Sequence, residues 1–328
     1  RPDLVGGRVG VAEAVLDLSS HSDAPPAIEL LQRLIDRSLV QPLAREDRPR
    51  FLLSESIREY AFGKLGPSRT ALEQRFIGHF RRRGEPHYRT LLKSGGIEGR
   101  EIIRDFENIS HALDLALDKK SPDAMSCFLA LVVILERTGP VTRALEFADK
   151  MSALDLSDHQ RATIDLKRSN ALIISGDLDQ ASGLAQNVHG TGRSLMNPEL
   201  VSEALYLLAM IHIQRGQPQF VIDNAESAIA MARQGLNNEL VAWWLALRGR
   251  AHRLQGSYKE SIRDFEKSGS IARQIGDQSL LANSLGSQAI IENIRGNTRV
   301  AIRLIGQSVA VARNSGDRRI HASRLFLL

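Results

Sequence analysis

Apolar positions in the last two thirds of the chain recur at helical spacing, and they do so in paired blocks. In GSYKESIRDFEKSGSIARQIGD, which begins at Gly256, Ile262, Phe265 and Ile271 fall on one helical stretch, and Leu245, Gly249 and Ala251 on the stretch before it. A looser copy, GNTRVAIRLIGQSVAVARNSGD, begins at Gly296. Glycines stand at Gly176, Gly216, Gly256 and Gly296, spaced 40 residues apart. Each unit therefore predicts two amphipathic helices joined by a turn whose glycine supplies the left-handed conformation that ends a helix. Seven positions before each glycine stands a small residue, Ser169, Ala209, Gly249 or Ala289, and five after it Ala181, Val221, Ser261 or Ala301. Small side chains at both places let the two helices approach closely. Other registers repeat as well: Ile222, Ile262 and Ile302; Leu205, Leu245 and Leu285; and the Ala-Arg pairs at 232, 272 and 312. One helix pair cannot bury its own apolar face, so the units must stack, which predicts a curved rod with one concave face.

A small residue, a turn glycine seven positions on and an alanine five beyond that resemble the tetratricopeptide repeat. The resemblance runs from about residue 160 to the C-terminus; a poorer unit around Gly139 and Ala144 precedes it, and a further one begins at Ile320. The usual period is about 34 residues, so the longer one implies added residues in helices or turns, as in long variants from bacterial signal-transduction regulators. In the tetratricopeptide register the groove-facing positions of the first helices are Asn170, then Tyr206 and Met210, then Trp243, Arg250 and Arg253, then Asn283 and Asn293. Aromatic anchors, amides and arginines on one rigid face suit a protein or peptide partner, or a small anionic inducer. Trp243 and Trp244 are adjacent and cannot face the same way on a helix, so at least one belongs to the core.

Upstream the pattern changes. GGRVGVAEAVLDL reads as a helix, AIELLQRLIDRSLVQPL as a second with Ile28, Leu31, Leu34, Ile35 and Leu39 apolar, and RFLL as a short strand after the polar break AREDRPR. SESIREYAFGKL reads as a further helix started by Ser54 at its N-cap. GGRVGVAEAV, LLQRLIDRSLVQ and RFLLSESIREYA resemble the winged-helix segment of STAND-type signalling ATPases, and FIGHFRRRGEPHYRTLL and DFENISHALDLAL resemble the connector from that module into tetratricopeptide repeats. The resemblance implies a mainly α chain: a partial winged-helix module over residues 1–65, a helical connector over 66–118, and an α-α superhelical repeat solenoid over 119–328 with a truncated last unit. It further implies an arm that docks on an upstream nucleotide-binding domain, and a regulatory sensor, in bacterial relatives often of transcription. A passive interaction scaffold is the alternative, and a winged-helix DNA binder the one after it. In that family a Met-His-Asp type motif senses the nucleotide; the matching positions are Leu53, Ser54 and Glu55, where a serine replaces the histidine. Ser54 and Glu55 thus carry two readings, nucleotide sensing and helix initiation.

The chemistry legible elsewhere is sparse. No stretch matches GxxxxGK[ST]; VGGRVGVAEA and SGGIEGREI lack the lysine and hydroxyl that hold phosphate and magnesium, so no enzyme activity and no cofactor are expected here, and any ATP or ADP site of a parent protein would lie upstream of Arg1. The chain opens on Arg1 rather than Met and stops within the apolar run SRLFLL, which reads as a piece of a longer polypeptide. Histidines are scattered, with only His79 and His87 eight apart, and no metal site is expected. The 43 basic and 38 acidic residues are interleaved, giving a formal charge of +5. Nucleic acid needs a clustered patch; the only dense basic run is Arg81, Arg82 and Arg83, and on the helix carrying Arg33 and Arg37 the acids Glu29 and Asp36 oppose a phosphate backbone. No apolar run of about 18 residues occurs, and the lone Cys127 lies in CFLALVVIL. Together these predict no membrane span and a cytoplasmic protein.

Overall fold

The computed structural model describes residues 9–16, 24–43, 50–94 and 96–315. Contacts divide the chain into two compact units, residues 1–88 with 101–131 and residues 89–100 with 132–328. The polar break at 44–49 and the repeat start at Ile320 lie outside the described residues.

In the first unit the order is α1 (Val9–Val15), α2 (Ala27–Asp36), β1 (Val40–Leu43), β2 (Arg50–Leu53), α3 (Glu55–Lys64) and α4 (Ser68–Arg81). β1 and β2 pair antiparallel, with Val40 opposite Leu53 and Leu43 opposite Arg50. Val40 and Phe51 are buried, so the hairpin turns one face to the core. α5 (Pro86–Ser94) and α6 (Gly96–Arg104) follow, then α7 (Phe106–Asp118), whose Ile109, Ala112, Leu113 and Ala116 pack inward with Ile77 and Phe80 of α4. Asp105, 1% exposed, ties the unit together: it accepts from Arg50 of β2 at 2.7 Å and from Arg83 at 3.0 Å, while Arg50 also donates to the Arg104 carbonyl at 2.6 Å. Next comes α8 (Ala124–Thr138). Gly84 must be glycine, because a Cβ there would lie 1.9 Å from the Ser126 carbonyl oxygen. Ser54 does occupy the N-cap of α3 with extended backbone, but its side chain makes no capping hydrogen bond, so its position and not its hydroxyl starts the helix.

The second unit continues through α9 (Thr142–Met151), α10 (Asp158–Ser175), α11 (Leu178–Ser194), α12 (Pro198–Gln214), α13 (Pro218–Gln234), α14 (Asn238–Leu254), α15 (Tyr258–Ile275), α16 (Gln278–Ile294) and α17 (Thr298–Ser315). From α10 onward these are helix pairs of 17 or 18 residues each, an α-α superhelical solenoid. The four turn glycines have φ between 74° and 93°, the left-handed region that disfavours other residues. All eight small positions flanking them are buried. In two units the small pair is also hydrogen-bonded: Ser169 Oγ donates to the Ala181 carbonyl at 2.9 Å, and Ser261 Oγ to the Gly249 carbonyl at 2.6 Å. Of the repeated isoleucines, Ile222 and Ile262 are half-buried, whereas Ile302 is 62% exposed, so this register lies at the edge of the core.

A second serine device ties the two helices of a unit together. Ser202 Oγ donates to the Ala228 carbonyl at 3.0 Å, Ser268 Oγ to Ala242 at 2.8 Å and Ser308 Oγ to Ala282 at 2.6 Å. Residues 202, 242 and 282 share one register on the first helices, and 228, 268 and 308 share another on the second. The hydroxyl comes from the first helix in one unit and from the second helix in the other two. First helices start on Asn197, Asn237 and Asp277, again 40 apart, whose side chains accept from the amides of Leu200, Leu240 and Leu280.

Candidate functional site

The first helices α10, α12, α14 and α16 touch one another in succession and form the inner layer of the array, with α11, α13, α15 and α17 packed between and behind them. A side chain on the free stripe of an inner helix therefore faces the groove. On α12 that stripe runs through Glu203, Tyr206 and Met210, and on α14 through Glu239, Trp243, Arg250 and Arg253, at the three- and four-residue steps of one helix face.

The two tryptophans divide as their adjacency demands. Trp244 is fully buried, and its indole N–H is satisfied by Ser202, 3.3 Å from Oγ and 3.4 Å from the carbonyl. Trp243 stays half-exposed. Tyr206 lies edge-on to both rings, with centroids 6.3 Å from Trp243 and 5.8 Å from Trp244. Core packing of Trp244 thus fixes the aromatic pair that faces the groove.

The arginines of α14 differ in their pairing. Arg248 points away from the groove stripe and is held by two acids: Nε and Nη2 bond both carboxylate oxygens of Asp264 at 2.7 and 2.8 Å, and Nη1 reaches Glu226 at 2.8 Å. The Asp264 hydrogen bonds, above all, push its pKa up. Arg250 is the opposite case. Burial lowers its pKa, the neighbouring Arg253 lowers it further, and only Tyr206 acts to raise it. No carboxylate among the described residues pairs with Arg250 or Arg253. Arg250 is exposed and Arg253 half-buried, and two neighbouring cations beside an aromatic wall, neither paired with a carboxylate among the described residues, can take an incoming anion.

The other expected groove residues are spread more widely. Met210 is half-buried and packs against the cores on either side of α12. Asn170 donates to Glu136 at 2.8 Å, an intramolecular contact that orients its amide. Asn283 is half-buried on α16, and Asn293 is exposed near the end of that helix. The structure thus gathers Tyr206, Trp243, Arg250 and Arg253, while the asparagines stand on units to either side. Glu203 and Glu239 occupy the same stripes and were not singled out from sequence; three- or four-residue spacing from Tyr206 and Trp243 was the signal available.

The other candidates are placed as follows. Glu55 and Ser54 are exposed, and Glu55 lies 3.7 Å from Arg58. Arg81 sits 3.5 Å from Asp123 and 3.6 Å from Glu85; Arg83 is paired with Asp105 and lies over the Tyr88 ring at 4.9 Å; Arg33 is paired with Glu29 at 2.7 Å. Burial raises the Cys127 thiol to about 12. Among the described residues no group of His, Cys, Asp or Glu is arranged to hold a metal, and no helix is long and apolar enough to cross a membrane.

No family model matches the sequence, and no curated protein matches it. Among solved structures the chain is similar to a STAND signal-transduction ATPase with a tetratricopeptide repeat sensor from Pyrococcus horikoshii, at 11% identity over 97% of this chain and 50% of that one, with a TM-score of 0.54. It is also similar to BtubC from P. vanneervenii, at 13% identity over 64% of this chain and 90% of that one, with a TM-score of 0.50. The chain spans about half the length of the Pyrococcus protein. At these identities the likeness is one of fold, and it agrees with the helix pairs: the chain is mainly α, with a tetratricopeptide-like α-α superhelical repeat array.

Proposed function

We propose that the chain is the sensing and coupling part of a STAND-like signalling protein, and that its repeat groove receives a protein segment or small inducer carrying negative charge at Arg250 and Arg253. The observation that carries this reading is the contrast along α14: Arg248 is saturated by Asp264 and Glu226, whereas the two groove-facing arginines have no acidic partner among the described residues. Tyr206 and Trp243 supply a flat apolar surface beside the cations, the combination from which interface anchors are built. The order helix, helix, hairpin, helix in the first unit supports a winged-helix arm that docks on an upstream ATPase domain. Binding in the groove would then bias that domain between its ADP and ATP states, by no more than the ligand's difference in affinity for the two. Nucleotide hydrolysis and any transcriptional output belong to other parts of such a protein.

The test is a fluorescein-labelled hexaglutamate peptide followed by anisotropy. The expected result is saturable binding that weakens with added salt and falls at least tenfold in Arg250→Glu with Arg253→Glu, at unchanged helicity. Equal affinity of the folded double variant refutes the groove assignment.

A further inference from the structure

The first unit holds a cleft of its own. A cavity of about 580 Å³ opens among α1, the end of β2, α3, α4 and α7. Its apolar walls are Leu16, Leu53, Phe62, Leu72, Phe76 and Leu115, and Ser110 and His111 of α7 also face it. Folded interiors leave few voids larger than a water molecule, whereas pockets for small molecules run from roughly 300 to 1,000 Å³. This space is therefore ligand-sized.

α3 bears this out independently. Its ten residues include Ile57, Tyr60 and Phe62, yet none of the ten is buried. Its inward residues Ile57, Arg58 and Phe62 are only half-buried, and of these Arg58 and Phe62 line the cleft, which leaves them surface for an occupant to cover.

Charge selects the class of occupant. Arg58, Glu73, Glu107 and Asp114 stand at the wall. Glu73 is bonded to Lys119 at 2.8 Å and to Arg69 at 2.7 Å, which hold its carboxyl below the usual range. Arg58 also faces Glu55 at 3.7 Å and Arg75 donates to the Val15 carbonyl, so four cations, Arg58, Arg69, Arg75 and Lys119, stand against four carboxylates, Glu55, Glu73, Glu107 and Asp114. The surroundings offer no net field to an ion. His111 lies edge-on to Phe76 at 5.6 Å, and burial lowers its pKa, favouring the neutral ring, which can both donate and accept.

We infer that this cleft binds an uncharged, mostly apolar small molecule whose single polar group hydrogen-bonds at Ser110 and His111. The site stands apart from the repeat groove and does not depend on the reading of Arg250 and Arg253.

The test uses the whole chain and the neutral dye N-phenyl-1-naphthylamine. Its fluorescence should rise saturably at one equivalent, and 1-decanol should displace it where decanoate at equal concentration does not. Ser110→Trp fills the cleft from α7 and should weaken dye binding at least tenfold, while the Arg250→Glu, Arg253→Glu variant binds as before. Far-UV circular dichroism checks folding; if Ser110→Trp does not fold, Leu72→Trp fills the cleft from α4 instead. The inference is overturned if the folded chain shows no saturable dye binding, which would leave the cleft to a protein segment. It is overturned too if a folded tryptophan variant binds dye like the parent, or if decanoate competes as well as decanol.

Discussion

Gly249 offers a quantitative check on why small residues hold the repeat in step. A Cβ built on it would lie 3.1 Å from Cε2 of Phe265 and 3.2 Å from Cδ2 and Cζ, inside the ordinary carbon separation of about 3.5–4.0 Å. Phe265 is 2% exposed and cannot swing into solvent, and the 2.6 Å bond from Ser261 to the Gly249 carbonyl pins the two helices at that spacing. Gly249→Ala should gain about 1 kcal/mol of helix propensity and lose about 1–3 kcal/mol to overpacking, leaving it neutral to about 2 kcal/mol destabilising. Phe265→Val removes the ring at a cost approaching the roughly 3–5 kcal/mol of Phe→Ala in a core. In that background the alanine should show its propensity gain alone. The double-mutant cycle should therefore give a coupling of about 1–3 kcal/mol, read from urea unfolding by the fluorescence of Trp243 and Trp244 on the same helix. A coupling within about 0.5 kcal/mol of zero, the size expected of independent sites, would refute the claim that side-chain size at this register sets the approach of the helices.

Asp105→Ala should strip the buried Arg50 and Arg83 of their shared counter-charge and cost about 3–5 kcal/mol; thermal melts that fall by less than the equivalent of about 1 kcal/mol would show the network to be dispensable. Burial, foremost, lowers the His111 pKa below its ordinary 6.5, with Arg58 acting the same way and Asp114 and Glu73 opposing it. The unfolded chain then takes up a proton more readily than the folded one, so His111 costs stability as pH falls through about 6.5 towards its folded value. Urea midpoints of His111→Asn should accordingly decline less than those of the parent between pH 7 and 5; parallel declines would remove His111 from the acid response.

The helix pairs were legible because side-chain size repeats at fixed distance: each glycine and its two flanking small residues answer a local requirement that one sequence displays four times. The split between Trp243 and Trp244 followed from adjacency alone. The serine latches were not legible, since Ser202 sits on a first helix and Ser268 and Ser308 on second helices, so neither register is constant. The register picked out Arg250 and Arg253 and passed over Arg248, but it could not show that Arg248 is paired, because Glu226 and Asp264 are carried to it by two other helices. The cleft of the first unit draws its walls from five elements, a juxtaposition no periodicity contains. Ser54 showed the reverse limit: its place was readable, the orientation of its hydroxyl was not.

The latch between the paired helices of a unit asks only for a hydroxyl on either of two facing positions and a carbonyl opposite. Serine is barely larger than alanine, so an ancestor bearing it on both sides would fit, and descendants could discard one copy or the other without an interval of weakness. Such two-sided tolerance lets the residue at either place change while the joint persists, so the fastening leaves no fixed signature along the array.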